Sequence, residues 1–215
     1  MRKLLSVAAL LVFLVASPSW AQGPEIEIGA LGGLYLPVSD LVSADDPVGP
    51  EEDVSHAAAA AFGGRVTLWL TEVFGVEGGF AYALSDVELE LNGEDQCGDS
   101  DFCNANAWLA SVKGLYRFMP QPDANWGLHL GAGVGLVGRG GDYWDFVDVD
   151  GTTDIGGVLN AGLNVNVTPN VAIRVDVEDY LYSAKFGVGE DDTESKFQND
   201  LLFLGGLSFI VGGGM

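Results

Sequence analysis

Strict alternation of apolar with small or polar residues, repeated in eight segments of ten to fourteen residues, limits what this chain can fold into more than any other feature. In residues 74–85, Phe74, Val76, Gly78, Phe80, Tyr82 and Leu84 fall on one face, and Gly75, Glu77, Gly79, Ala81, Ala83 and Ser85 on the other. The same period runs through residues 26–36, 62–71, 108–119, 126–139, 155–168, 171–182 and 201–211. Strands of that length cross a bilayer core when tilted. The connections alternate as well. Residues 72–73, 120–125 and 169–170 are short links, whereas 37–61, 86–107, 140–154 and 183–200 are long. An antiparallel meander then has its tight turns at one end and its long loops at the other. The pattern predicts an all-β fold, an eight-stranded antiparallel up-and-down transmembrane β-barrel.

Charge decides which face meets lipid. Val66, Leu68, Leu70, Leu128, Leu130, Val134 and Leu136 share faces without an ionisable group. The opposite faces carry Arg65, Glu77, Lys113, Arg117, His129, Asn160, Asn164, Arg174, Asp176 and Glu178. A charge on the lipid side costs about 2–4 kcal/mol near the midplane, so the charged face must be the lumen. Asp179 is the exception: it falls on the outer face, which requires a place above the apolar band or a bulge that shifts register. Glycine, 31 of 215 residues, has a reason on this reading. Gly29, Gly33, Gly75, Gly79, Gly131, Gly133 and Gly135 lie on inner faces, and a narrow lumen needs glycine opposite long Arg and Lys side chains.

Nine Lys and Arg stand against 31 Asp and Glu, yet 48% of the chain is apolar. Such an acidic protein has no clustered basic surface for nucleic acid, and so apolar a one is no disordered acidic tail. Arg2 and Lys3, the apolar run 4–15 and Ser19-Trp20-Ala21 read as a signal peptide over residues 1–21, with the barrel domain at 22–215. No cysteine follows the cut, so no lipid anchor is expected. Removing the signal leaves 7 basic residues against 31 acidic ones. No apolar run beyond it approaches the ~20 residues of a spanning helix.

Among residues that could carry chemistry, Glu27, Arg65, Glu77, Lys113, Arg117, Arg174, Asp176 and Glu178 are expected to form a charge network in the lumen. An unpaired charge there would cost several kcal/mol, so they must pair. The network either closes the barrel or lines a narrow ion path. Cys97 and Cys103, the two cysteines of an exported chain, are expected to form a disulfide that closes a small loop. Acidic residues crowd the long loops, Asp45, Asp46, Glu51, Glu52 and Asp53 in the first, for example. A solvated surface is the first explanation, and divalent-cation binding the sharper one. Residues 148–154 have the Asp-x-Asp-Gly core of a calcium loop, but Phe146 stands where its first acid belongs and the distal Glu is missing. His129 has no nearby serine partner and reads as a lumenal hydrogen-bonding residue. No catalytic residue, metal centre or cofactor is expected.

These strands, Arg174-Val175-Asp176-Val177-Glu178-Asp179-Tyr180 and the closing Gly206-Leu207-Ser208-Phe209 resemble the small eight-stranded outer-membrane proteins that include the transmembrane domain of outer-membrane protein A and the outer-membrane protein X group. The resemblance implies a monomer in the cell outer membrane, reached through the periplasm, with outer-membrane lipid and the barrel-assembly machinery as partners. Phe209 would supply the terminal aromatic signal read by that machinery. The function it implies is non-enzymatic, structural or surface-interacting. A narrow cation-preferring channel is the alternative, and a lipid-modifying enzyme is retained because the fold hosts some.

Overall fold

The computed structural model describes residues 24–39, 42–44, 52–91, 94, 95, 97, 103–119, 124–142, 153–186 and 194–212. The segment read as a signal peptide lies outside them. Among the described residues twelve strands follow in order: β1 Glu25–Pro37, β2 Val42–Ala44, β3 Glu52–His56, β4 Ala59–Trp69, β5 Phe74–Ala83, β6 Val87–Leu91, β7 Glu94–Asp95, β8 Asn106–Phe118, β9 Trp126–Gly140, β10 Thr153–Thr168, β11 Val171–Phe186 and β12 Glu194–Val211. The eight longest close a barrel in the order β1-β12-β11-β10-β9-β8-β5-β4, each antiparallel to its neighbours. Closure removes the sheet edge, leaving every barrel strand paired on both sides. The first and last barrel strands join in unbroken register, from Ile26 with Val211 to Pro37 with Asp200.

The expected faces are the observed ones. Ile28, Val66, Val76, Val112, Leu130, Leu159, Val175 and Phe203 point outward and are exposed. Aromatic side chains gather at both ends of this wall. Phe74, Tyr116, Phe118, Trp126 and Phe209 stand near the tight turns, and Phe62, Tyr82, Trp108 and Phe197 near the long loops. Such paired girdles mark the two interfaces of a bilayer. Thr71 Oγ1 ties its turn locally by accepting the Phe74 N–H at 2.9 Å, and Asn170 in the β10–β11 turn exchanges backbone and side-chain bonds with Ile210 on the neighbouring strand β12.

Three features differ from the sequence reading. The long links are partly structured: β2, β3, β6 and β7 form a separate sheet in the order β2-β3-β6-β7, so the first and second long links pair with each other. The last hairpin continues past residue 182 to Phe186 and resumes at Glu194, with Ser183 opposite Phe197 and Ala184 opposite Lys196. Asp179 stays on the outer face without a bulge. Its neighbours in register are Leu159 and Leu201, and the one irregularity of the β10–β11 pair lies at Asn166/Thr168.

A fourth difference concerns glycine. Of the inner glycines named above, Gly29 makes room for a long cation, since a Cβ there would lie 3.2 Å from Arg65 Cγ. At Gly75 the space belongs to the Trp69 ring, whose Cε3 would be 2.8 Å away. At Gly33 and Gly133 a Cβ would collide with the backbone carbonyls of Phe203 and Val112. These positions are glycine because a small closed barrel coils its strands tightly, bringing the neighbouring backbone onto the inner side of the wall.

Candidate functional site

The barrel interior gathers the charged residues. Arg65 on β4, Glu77 on β5, Lys113 on β8, Arg174, Asp176 and Glu178 on β11 and Glu27 on β1 are all buried and face one another. Arg65 Nη1 meets Asp176 Oδ2 at 2.6 Å and lies 3.9 Å from Glu77 Oε1. The Lys113 ammonium is held between Glu77, at 3.1 Å, and Glu178. Arg174 reaches Glu77 Oε2 at 2.7 Å, Asp176 Oδ2 at 3.1 Å and Glu27 at 3.7 Å. One central cation thus meets three carboxylates from three strands. Low local dielectric strengthens each pair while making any unpartnered member costly.

Neutral groups complete this layer. Thr67 donates to Glu77 Oε2 at 2.6 Å, Trp69 Nε1 to Glu27 Oε2 at 3.2 Å, Asn160 to Asp176 Oδ1 at 3.0 Å and Tyr180 to Glu178 at 3.1 Å. His129 Nε2 lies 2.7 Å from Asp176 Oδ1 and 2.9 Å from Arg174 Nη2. Gly162 makes that possible: a Cβ there would lie 2.5 Å from Asp176 Oδ1 and collide with the His129 ring.

Arg117 stands apart from the network in which the sequence places it. It lies next to the tight turns, where its guanidinium pairs with Glu25 at 3.3 Å, donates to the Glu72 carbonyl at 3.1 Å and stacks 3.9 Å over the Trp69 ring. Trp69 separates it from Glu27, so Arg117 belongs to the rim. Its face was readable from alternation, but its depth was not.

A second polar group lies toward the long loops. Arg139 bonds Asp154 at 2.8 Å and the Tyr182 hydroxyl at 2.6 Å, and Tyr182 donates to Asp200 at 2.7 Å. Between the two polar groups lie Leu109 on β8, Val137 on β9 and Leu202 and Leu204 on β12, with the buried Ser111 of β8 beside Lys113 on the charged side. The lumen is therefore layered, charged then apolar then polar. Sequence reasoning missed the apolar layer, because Leu109 and Leu204 share faces with charged residues and only their position along the strand separates them. Asp154, counted with the calcium-loop residues, spends its carboxylate on Arg139, and residues 148–152 of that segment lie outside the described ones. Asp45, Asp46 and Glu51 lie outside them too.

Cys97 and Cys103 are joined in a disulfide, with Cα atoms 5.7 Å apart. Among the described residues no group of three or more His, Cys, Asp or Glu is placed to hold a metal ion, and no helix is long and apolar enough to cross a membrane.

The model of the outer membrane protein beta-barrel domain matches residues 7–202. The chain belongs to this outer-membrane β-barrel family. Among solved structures, the outer membrane protein OprG from Pseudomonas aeruginosa is similar at TM-score 0.60 and 12% identity, covering 88% of this chain and 97% of that one. The outer membrane protein AlkL, solved in lipid bilayers, is similar at TM-score 0.53 and 14% identity, covering 91% of this chain and 93% of that one. At such identities both likenesses concern the fold. No curated protein sequence matches the chain. Membership places this barrel in the outer membrane, with its exposed apolar wall in lipid.

Proposed function

We propose that this outer-membrane barrel has a structural or surface-interaction role, with a lumen closed by its charge network and long acidic loops presented outside the cell. The observation that carries the reading is Arg174, buried against Glu77, Asp176 and Glu27, with Lys113 bridging Glu77 to Glu178 on the far wall. Side chains that meet across an eight-stranded barrel leave no room for a hydrated ion. Lipid is its solvent, the barrel-assembly machinery its route of insertion, and the monomer its working state. Divalent cations at the acidic loops would bridge it to anionic head groups. The test is planar-bilayer recording with refolded protein. The proposal expects baseline current, and a steady, well-resolved open level would overturn it.

A narrow cation-preferring path is the second reading. Four carboxylates, Glu27, Glu77, Asp176 and Glu178, meet three permanent cations, Arg65, Lys113 and Arg174, which favours positive over negative charge in the lumen. If current is seen, a reversal potential displaced toward the cation equilibrium in a salt gradient supports it, and a displacement toward the anion equilibrium excludes it.

A further inference from the structure

His129 is buried on β9, at 2% exposure, and its ring meets both kinds of charge in the network. Nε2 lies 2.7 Å from Asp176 Oδ1 and 2.9 Å from Arg174 Nη2. A carboxylate only accepts and a guanidinium only donates, so Nε2 bonds one of them and merely abuts the other. Arg174 has no need of it, because Nη2 already donates to Asp176 Oδ1 at 3.1 Å. A bare Nε2 would set its lone pair against the carboxylate at 2.7 Å. The proton therefore belongs on Nε2, donated to Asp176, and Gly162 leaves the space in which ring and carboxylate meet.

With Nε2 fixed as a donor, Nδ1 is the ring's one remaining variable. A second proton there turns His129 into a cation. The groups around it decide what that changes. Arg174, Asp176 and Glu178 stand on β11, Lys113 on β8, and the buried neutral Asn160 and Asn164 on β10. Arg65, Glu77 and Glu27 join them from β4, β5 and β1 through ion pairs with Asp176 and Arg174. Arg117 of β8 is paired with His129 in register but turns its guanidinium away to Glu25. In the network four carboxylates thus meet three permanent cations, a surplus of one negative charge, and a protonated His129 is the fourth cation that cancels it. In a low-dielectric lumen such a surplus matters to every pair.

We propose that His129 is a proton-binding site that sets the charge of the lumen. Nε2–H stays on Asp176 while Nδ1 takes one proton from the aqueous phase or returns it, moving the network between neutrality and one negative charge. Histidine is the side chain suited to this, since its charge changes between about pH 5 and pH 8. In a conducting barrel the proton governs cation preference, an effect that rests on the second reading above. The proton site itself rests on the network geometry alone.

Solid-state nitrogen NMR of untagged, histidine-labelled protein refolded in lipid vesicles reads the ring directly. The chain has two histidines, and His56→Gln leaves His129 as the single signal. At about pH 8 the ring should be neutral with its proton on Nε2, and by about pH 5 both nitrogens should be protonated. The Asp176 carboxyl carbon should shift with the same midpoint. His129→Gln keeps an N–H for Asp176 and binds no second proton, so in that variant the Asp176 carbon should stay fixed across the range. A ring that holds one form throughout would overturn the proposal, and so would a neutral ring with its proton on Nδ1. An Asp176 carbon that still titrates in folded His129→Gln would place the proton on the carboxylate and overturn it as well. Should that variant fail to fold, the ring spectra decide alone. They are read on a closed or a conducting barrel alike, so absence of current counts against the second reading and leaves the proton site standing or falling on the spectra.

Discussion

Lys113 is buried between Glu77 and Glu178, so Lys113→Ala takes the nearest cation from Glu178 and leaves Glu77 with Arg174 and Arg65. Breaking a buried pair by removing one partner costs about 3–5 kcal/mol. We expect a loss of that size in urea unfolding from lipid vesicles, with Lys113→Ala refolding to the same strand content. Arg117→Ala should lose only about 1 kcal/mol, because its pair with Glu25 is partly exposed and what remains is an exposed hydrogen bond to the Glu72 carbonyl and one cation–π contact. Equal losses from the two substitutions would contradict the separation of rim from network. Gly162→Ala tests a third position, where the new methyl group must displace His129 or Asp176. Overpacking of this kind costs about 1–3 kcal/mol. What alternation made legible at this scale was the face of each side chain. Which inner residues meet was not legible, because Arg65 and Asp176 lie 111 positions apart and touch only through closure of the barrel.

The strands show where pattern reading works and where it stops. Period 2 persists through β5, β8 and β9 because large apolar residues alternate with glycine or charge, so these strands stand out. It fades at the long-loop ends, where the inner positions Ala59 and Ala184 are as small as a loop residue, and there β4 and β11 begin or end beyond the expected limits. The sheet of β2, β3, β6 and β7 was not legible, since each of its strands has five residues or fewer and finds its partner in another strand of the small sheet, β3 pairing with β6 from the next long link. Asp179 supplies a prediction for β11. Its register is unbroken, it stands between Leu159 and Leu201, and its Oδ1 is buried without a hydrogen-bond partner among the described residues. Replacing it by leucine should stabilise the barrel in lipid by about 1–2 kcal/mol, as expected for an acid removed from the lipid face. No gain in vesicles would show that Asp179 already has a partner there. The disulfide acts on one link rather than on the barrel. Cys97→Ser should speed proteolysis between residues 86 and 106 while leaving the unfolding midpoint of the barrel unchanged.

At the scale of the molecule, an acidic, apolar and glycine-rich composition resolves into places. Apolar side chains cover the wall, glycines sit where strand meets strand or ring meets wall, and the lumen carries nearly balanced charge. The class of fold was legible because a membrane barrel has to repeat one pattern eight times. The layering of its lumen was not, since depth depends on strand tilt and stagger. On the proposed reading the charge network closes this lumen. Single-channel recording of the unsubstituted protein beside Lys113→Ala tests it most directly. Closure by the network predicts baseline current for the first and brief or sustained openings for the second. A steady conductance in the unsubstituted protein that Lys113→Ala leaves unchanged would contradict it.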